Sequence, residues 1–104
     1  LAGIFGANLF SAIGSADGVK AMGKTGEIKV VAFDAPTRIV DDLKSGLVDL
    51  AIAQHPAEIG YMGVMVAFGH VTGNPVPVSV GTGFTVMTAD NIDDPDISKY
   101  VYSD

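Results

Sequence analysis

Three short apolar segments, separated by stretches of helical character, constrain this chain most strongly. They cover residues 1–5, 28–33 and 50–53. The clearest is IKVVAF at 28–33, whose apolar run without strict alternation is typical of a strand in a sheet covered on both faces. Helically spaced apolar residues and flanking glycines predict helices over 9–22 and 37–45. Strands that alternate with helices form a βαβαβ unit, so we predict an α/β fold with a partial doubly wound parallel sheet.

The second half of the chain has a different character. A helix predicted over 57–72 is apolar around nearly its whole circumference, so it requires burial on both sides. Alternating valines over 76–80 predict a half-buried or edge strand, and further extended chain is predicted over 84–88. The acidic segment 90–104 predicts a solvated surface tail with one helical turn.

Composition excludes several classes of function. Twelve acidic residues against six basic ones give a formal charge of −6, which argues against a nucleic-acid partner because phosphate binding needs clustered Lys and Arg. The lack of cysteine excludes disulfide scaffolds, iron–sulfur clusters and thiolate metal sites. No apolar run approaches the roughly 18 residues of a membrane span. No His pair has metal-ligand spacing, so we predict neither a metal nor a cofactor.

Polar side chains follow each of the three apolar strands. Asn8, Asp34 and Gln54 occupy the carboxyl ends, the edge at which parallel α/β sheets bind ligands. Asp accepts hydrogen bonds, whereas Asn and Gln both donate and accept, a mixture that suits hydroxyl groups. Phe33 beside Asp34 could add an apolar ring face. Each polar residue also has a structural interpretation: a helix cap for Asn8, a turn former for Asp34 and a hinge for Gln54.

The catalytic interpretation has little support in the sequence. His55 follows Gln54, but no Ser lies in a Gly-x-Ser-x-Gly turn and Gly81-Thr82-Gly83 lacks the Lys and helix of a phosphate loop. We therefore predict that the protein is not an enzyme. An α/β enzyme fragment that uses Asp34 and His55 is the alternative.

Several motifs together resemble the C-terminal part of type I periplasmic sugar-binding proteins, the ribose-binding-protein-like solute receptors of ABC transporters. GIFGAN at 3–8, KVVAFD at 29–34 and AIAQHP at 51–56 are similar to three strand ends of that family. VMTADN at 86–91 is similar to its closing strand and tail. The resemblance implies two doubly wound lobes with a sugar clamped between them.

The resemblance also assigns roles to individual residues. It implies that Asn8, Asp34 and Gln54 hydrogen-bond sugar hydroxyls, that Phe33 lies at the sugar wall and that Gln54 belongs to a hinge. Residues 1–54 would then be part of the C-terminal lobe. A hinge crossing, a helix and strands returning to the N-terminal lobe, and the acidic tail would make up residues 55–104.

The implied partners are a small-molecule sugar and the membrane permease of an ABC transporter. The implied location is periplasmic or extracytoplasmic, including a membrane-tethered lipoprotein. An alternative with the same fold is the effector-binding domain of a lactose-repressor-type transcription regulator. Because the chain begins at Leu1 inside an apolar strand, we expect a fragment, which would self-associate or pair with the missing part.

Overall fold

The computed structural model describes residues 1–102. The elements, in chain order, are β1 (Gly3–Gly6), α1 (Leu9–Ala21), β2 (Lys29–Phe33), α2 (Thr37–Lys44), β3 (Leu50–Gln54), α3 (Pro56–Val71), β4 (Phe84–Met87) and α4 (Pro95–Ser98). The predicted helices and the first three strands lie within about two residues of these bounds.

The first three strands form the predicted βαβαβ unit. β1 pairs with β2 and β2 with β3, both parallel, and the sheet order is β1-β2-β3-β4. Gly6 lies opposite Ala32, and Phe33 lies opposite Ile52. This register aligns the carboxyl ends of the three parallel strands along one edge. The predicted α/β class is confirmed.

One face of the sheet is buried beneath α1 and α2. Ala12 and Ala16 of α1, and Ile39 and Leu43 of α2, are fully buried in one core with alternate strand residues. The strand residues of this core are Val30, Ala32, Ala51, Ala53 and Met87. The small alanines on both layers allow the helices to approach the sheet closely.

The opposite face of the sheet has no helix over it within residues 1–102. Phe5, Phe84 and Val86 are 56%, 65% and 39% exposed, and Phe33 and Ile52 are only partly buried. The strand pattern predicts cover on both faces, whereas the structure shows cover on one. An apolar run indicates the environment that a strand requires, but not which segment provides it.

β4 differs from the predicted course of the chain. The resemblance implies that strands after α3 return to the N-terminal lobe, but β4 pairs antiparallel with β3, with Gln54 opposite Phe84. Met87 is fully buried in the same core as β1–β3. Extended residues carry no local signal of the strand they pair with, so sequence patterns detect β4 but not its neighbour. The prediction of a half-buried or edge strand over Val76–Val80 is wrong, because those residues form no strand.

The acidic tail packs on the domain instead of lying free in solvent. Ile92 is 2% exposed and belongs to the core, and Tyr100 and Val101 pack against this core. The side chain of Asp94 accepts the N–H of Asp96 at 2.9 Å and caps the short α4, which matches the predicted helical turn. The expectation of a solvated tail is wrong for these residues; its last two residues, 103–104, lie outside the described part.

α3 projects away from the sheet. No residue of this helix is buried, and Tyr61, Val64 and Phe68 are 66%, 69% and 62% exposed. The radius of gyration is 16.7 Å, whereas a compact domain of this length has about 13 Å. In the described part of the chain, no helix combines the length and apolar character needed to cross a membrane.

Candidate functional site

Three polar side chains lie at the carboxyl edge of the parallel strands. Gly6 of β1 pairs with Ala32 of β2, and Asn8 and Asp34 each lie two residues beyond these positions. The two residues therefore occupy equivalent positions after their strands. The N–H of Asp34 donates to the carbonyl of Ile52 at 3.0 Å, which continues the β2–β3 ladder one residue beyond the end of β2. The structure therefore brings Asn8, Asp34 and Gln54 to one edge, as the strand pattern predicts.

Asp34 and Gln54 contact each other directly. Gln54 Nε2 donates to Asp34 Oδ1 at 2.6 Å, and both side chains are half-buried. The bond uses one amide hydrogen and one carboxylate oxygen. It leaves the second carboxylate oxygen and the Gln54 carbonyl able to accept hydrogen bonds, with one amide hydrogen able to donate. A hydroxylated ligand could use all three.

Asp34 has an unusual backbone conformation. Its φ is +80°, and it is the only non-glycine residue with positive φ within residues 1–102. For a residue with a side chain this region costs roughly 1–2 kcal/mol. Such strain persists where the surroundings hold it in place, and it concentrates at functional positions.

Asn8 begins α1 as the predicted N-cap. Its Oδ1 accepts the N–H of Ser11 at 2.9 Å, while Ser11 Oγ accepts the N–H of Asn8 at 3.2 Å. Its Nδ2 makes no hydrogen bond to another described residue. The cap therefore fixes the side chain of Asn8 and leaves its amide hydrogens free to donate to a ligand.

Phe33 ends β2 immediately before Asp34. It lies opposite Ile52, and strand alternation directs it to the open face of the sheet. The ring is half-buried. It can offer an apolar surface next to the polar edge.

Tyr102 is a residue of this edge that the sequence pattern missed. Its Oη accepts the N–H of Ala35 at 3.2 Å, although 67 residues separate the two. Burial, together with the nearby Asp34 carboxylate, raises the pKa of Tyr102 from 10.0 to about 12. The tail carries no periodic signal that could have indicated this contact.

His55 makes its contacts with residues other than Asp34. Its Nε2 lies 2.8 Å from Thr85 Oγ1, and its Nδ1 lies 3.1 Å from Glu58 Oε2. The imidazole stacks on Tyr100, with ring centroids 3.8 Å apart and planes 10° from parallel. Both ring nitrogens are occupied, so the geometry does not favour the catalytic pair of Asp34 and His55.

A cleft of about 350 Å³ lies beside this histidine. It is lined by His55, Pro56, Ala57 and Glu58 and by the tail residues Lys99–Tyr102. Asn8, Asp34 and Gln54 do not line this cleft. Among residues 1–102, no group of three or more His, Asp or Glu side chains is placed to hold a metal ion.

Solved structures with the same fold are known. A solute-binding protein of an ABC transporter from Agrobacterium vitis, bound with α-D-tagatopyranose, is 60% identical to this chain with a TM-score of 0.93. A second A. vitis solute-binding protein, with D-fucose, is 31% identical with a TM-score of 0.86. A carbohydrate transporter solute-binding protein from Agrobacterium radiobacter, in complex with D-arabinose, is 30% identical with a TM-score of 0.85.

These matches cover 97–100% of this chain but only 34–35% of the solved proteins. The chain thus spans about a third of the length of its structural relatives. No protein in a search of curated proteins matches it significantly. The family model described as the periplasmic binding protein domain matches residues 1–75. With most of its length matched, the chain belongs to the family of periplasmic binding protein domains.

Proposed function

We propose that the full-length protein is a non-catalytic sugar receptor of an ABC transporter, and that its sugar lies against the edge formed by Asn8, Asp34 and Gln54. The observation that carries the proposal is the position of these three residues at one edge of the sheet, with Gln54 bonded to Asp34 at 2.6 Å. The solved relatives support the sugar class, because three of them are solute-binding proteins with a bound monosaccharide.

Each residue has a defined role in this proposal. The Asp34 carboxylate accepts hydrogen bonds from sugar hydroxyls, while Asn8 and Gln54 donate to hydroxyl oxygens. Phe33 packs against the apolar face of the sugar ring. The contact between Gln54 and Asp34 orients both side chains before the ligand arrives, which reduces the entropy lost on binding.

The arrangement of elements also suggests how the receptor is divided. We assign residues 1–54 to part of the C-terminal lobe, together with β4 and the tail, which pack on the same sheet. α3 and the segment 72–83 project from this unit and would belong to the N-terminal lobe. Residues 54–56 and 81–83 are then two crossings between lobes, so Gln54 would be both ligand and hinge residue.

Transport is the biological context that the relatives favour. The permease of an ABC transporter is the proposed partner, and the proposed location is periplasmic or extracytoplasmic. The alternative of a transcriptional regulator would require a DNA-binding helix-turn-helix in the full-length protein. The sequence of the complete gene distinguishes the two directly.

Calorimetric titration of the full-length protein tests the proposal. Tagatose, fucose and arabinose form the first panel, because relatives contain them. At least one monosaccharide should bind, and Asp34→Ala should then weaken binding by about two to four decades, since two charged hydrogen bonds contribute roughly 1.5–3 kcal/mol each.

Asp41→Ala is the matched control, because Asp41 is an exposed carboxylate on α2 away from the edge. It should leave the affinity unchanged. A loss of less than threefold for Asp34→Ala would remove Asp34 from the site. Failure of the wild-type protein to bind a broad panel of monosaccharides would overturn the proposed function.

A further inference from the structure

The C-terminal tail reaches the candidate site through its last described residue. We propose that Tyr102 is a positioning residue for Asp34: it holds the backbone after Asp34 so that the carboxylate faces the ligand. This inference rests on the proposed sugar-binding function of Asp34. It adds to the proposed site a residue of the C-terminal tail, which is not one of the strand-end residues.

Tyr102 contacts the loop that follows β2 through both its backbone and its side chain. Its backbone forms a bridge with Pro36, and its N–H lies 3.4 Å from the carbonyl oxygen of Ala35. Its Oη accepts the N–H of Ala35 at 3.2 Å. The residue directly after Asp34 is therefore held through both its carbonyl and its N–H by one tyrosine.

The loop needs such a support because of its local conformation. Asp34 has a φ of +80°, and Ala35 and Pro36 behind it are fully buried. Tyr102 Oη is the only partner of the Ala35 N–H among the described residues. A buried N–H without a partner is costly, so removal of this hydroxyl favours another conformation of the loop. Asp34 would move with it.

The hydroxyl of Tyr102 can also interact with the Asp34 carboxylate. While it accepts from Ala35, its own hydrogen remains available to donate. The Asp34 carboxylate is the second cause, after burial, of the raised pKa of Tyr102. The observed contacts of Tyr102 with Ala35 and Pro36 connect the tail to the loop that begins at Asp34.

Tyr102→Phe in the full-length protein is the direct test. It keeps the ring and removes the hydroxyl. We expect sugar affinity to fall about three- to tenfold, the range for one net hydrogen bond. Tyr100→Phe is the matched control, because the hydroxyl of Tyr100 makes no hydrogen bond within residues 1–102 and its ring can still stack on His55. It should bind as the wild type does.

A second measurement needs no sugar. In a ¹H–¹⁵N spectrum of the full-length protein, Tyr102→Phe should shift the Ala35 amide and the side-chain amide of Gln54, which donates to Asp34. Tyr100→Phe should leave the Gln54 signal in place. Because the spectrum reports on the site without ligand, it separates failure of this inference from failure of the proposed function.

The inference is overturned if Tyr102→Phe binds within twofold of the wild type, if both tyrosine variants lose affinity equally, or if the Gln54 signal does not move. If Tyr102→Phe does not fold, hydrogen exchange of the Ala35 amide in the wild-type protein tests the inference instead. Slow exchange of the Ala35 amide supports the inference, and exchange as fast as an exposed loop contradicts it.

Discussion

Asp34 combines a proposed ligand-binding position with an unfavourable backbone conformation. The φ of Asp34 is +80°. Glycine adopts this value without a steric cost, whereas the Cβ of alanine makes it unfavourable. Asp34→Gly and Asp34→Ala both remove the carboxylate, so their difference isolates the backbone strain. We expect Asp34→Gly to have the higher free energy of unfolding, by about 1 kcal/mol, in denaturant titrations of the full-length protein. Equal stabilities, or a more stable Asp34→Ala, would show that this loop is not strained.

Tyr102 should make stability depend on pH in the alkaline range. Its pKa is raised from 10.0 to about 12 in the folded protein, chiefly by burial, so the folded state holds the phenol proton more tightly than the unfolded state. The stabilisation is fully present below pH 10 and is lost as the pH rises to about 12. The free-energy difference between wild type and Tyr102→Phe should therefore shrink between pH 10 and 12. A difference that stays constant across this interval contradicts the shifted pKa.

The strand ends could be predicted from sequence, but the contacts around them could not. Asn8, Asp34 and Gln54 each follow a local apolar run, and parallel pairing then brings them to one edge. Tyr102 lies 67 residues from Ala35, and its packing depends on the route of the tail. No periodicity connects positions so far apart. The ligand role of the strand-end residues stays a prediction.

At the scale of elements, His55 connects the start of α3 to β4. Thr85 provides the hydroxyl at 2.8 Å from Nε2, and Tyr100 provides the stacked ring. Thr85→Val keeps the branched shape and removes the hydroxyl, so it should lower the free energy of unfolding by about 1 kcal/mol. Thr82→Val is the control, because the hydroxyl of Thr82 makes no hydrogen bond within the part of the chain described here. Equal effects of the two substitutions in chemical denaturation would show that the contact with His55 contributes nothing.

Local patterns predicted the helices and most strands because each carries its own periodicity. The exception is Val76–Val80, whose alternation is typical of a strand although no strand forms there. Pro75 and Pro77 lack the N–H groups that a ladder needs, so alternation alone is insufficient. β4 shows the complementary limit, since its pattern predicts extended chain but not antiparallel pairing with β3.

At the scale of the whole molecule, the isolated 104-residue chain exposes apolar surface that a stable monomer would bury. α3 has no buried residue, and the open sheet face carries Phe5, Phe84 and Val86. Burial of such surface gains about 25 cal/mol per Å². We expect light scattering on this chain alone to give a mass above 10.7 kDa, with no measurable sugar binding. A 10.7 kDa monomer with a cooperative melt would contradict this expectation.

The composition and strand pattern were sufficient to predict the α/β class, but not which surfaces remain open. The apolar circumference of α3 predicts burial on both sides, and the structure instead shows this helix exposed along its length. The chain spans about a third of the length of its structural relatives, and no residue of α3 is buried by the described part of the chain.

A crystal structure of the full-length protein with its bound monosaccharide tests the central claim most directly. We predict that sugar hydroxyls lie within hydrogen-bonding distance, about 2.6–3.2 Å, of the side chains of Asn8, Asp34 and Gln54, with the ring against Phe33. A sugar bound in the protein without contact to Asp34 or Gln54 would contradict the account.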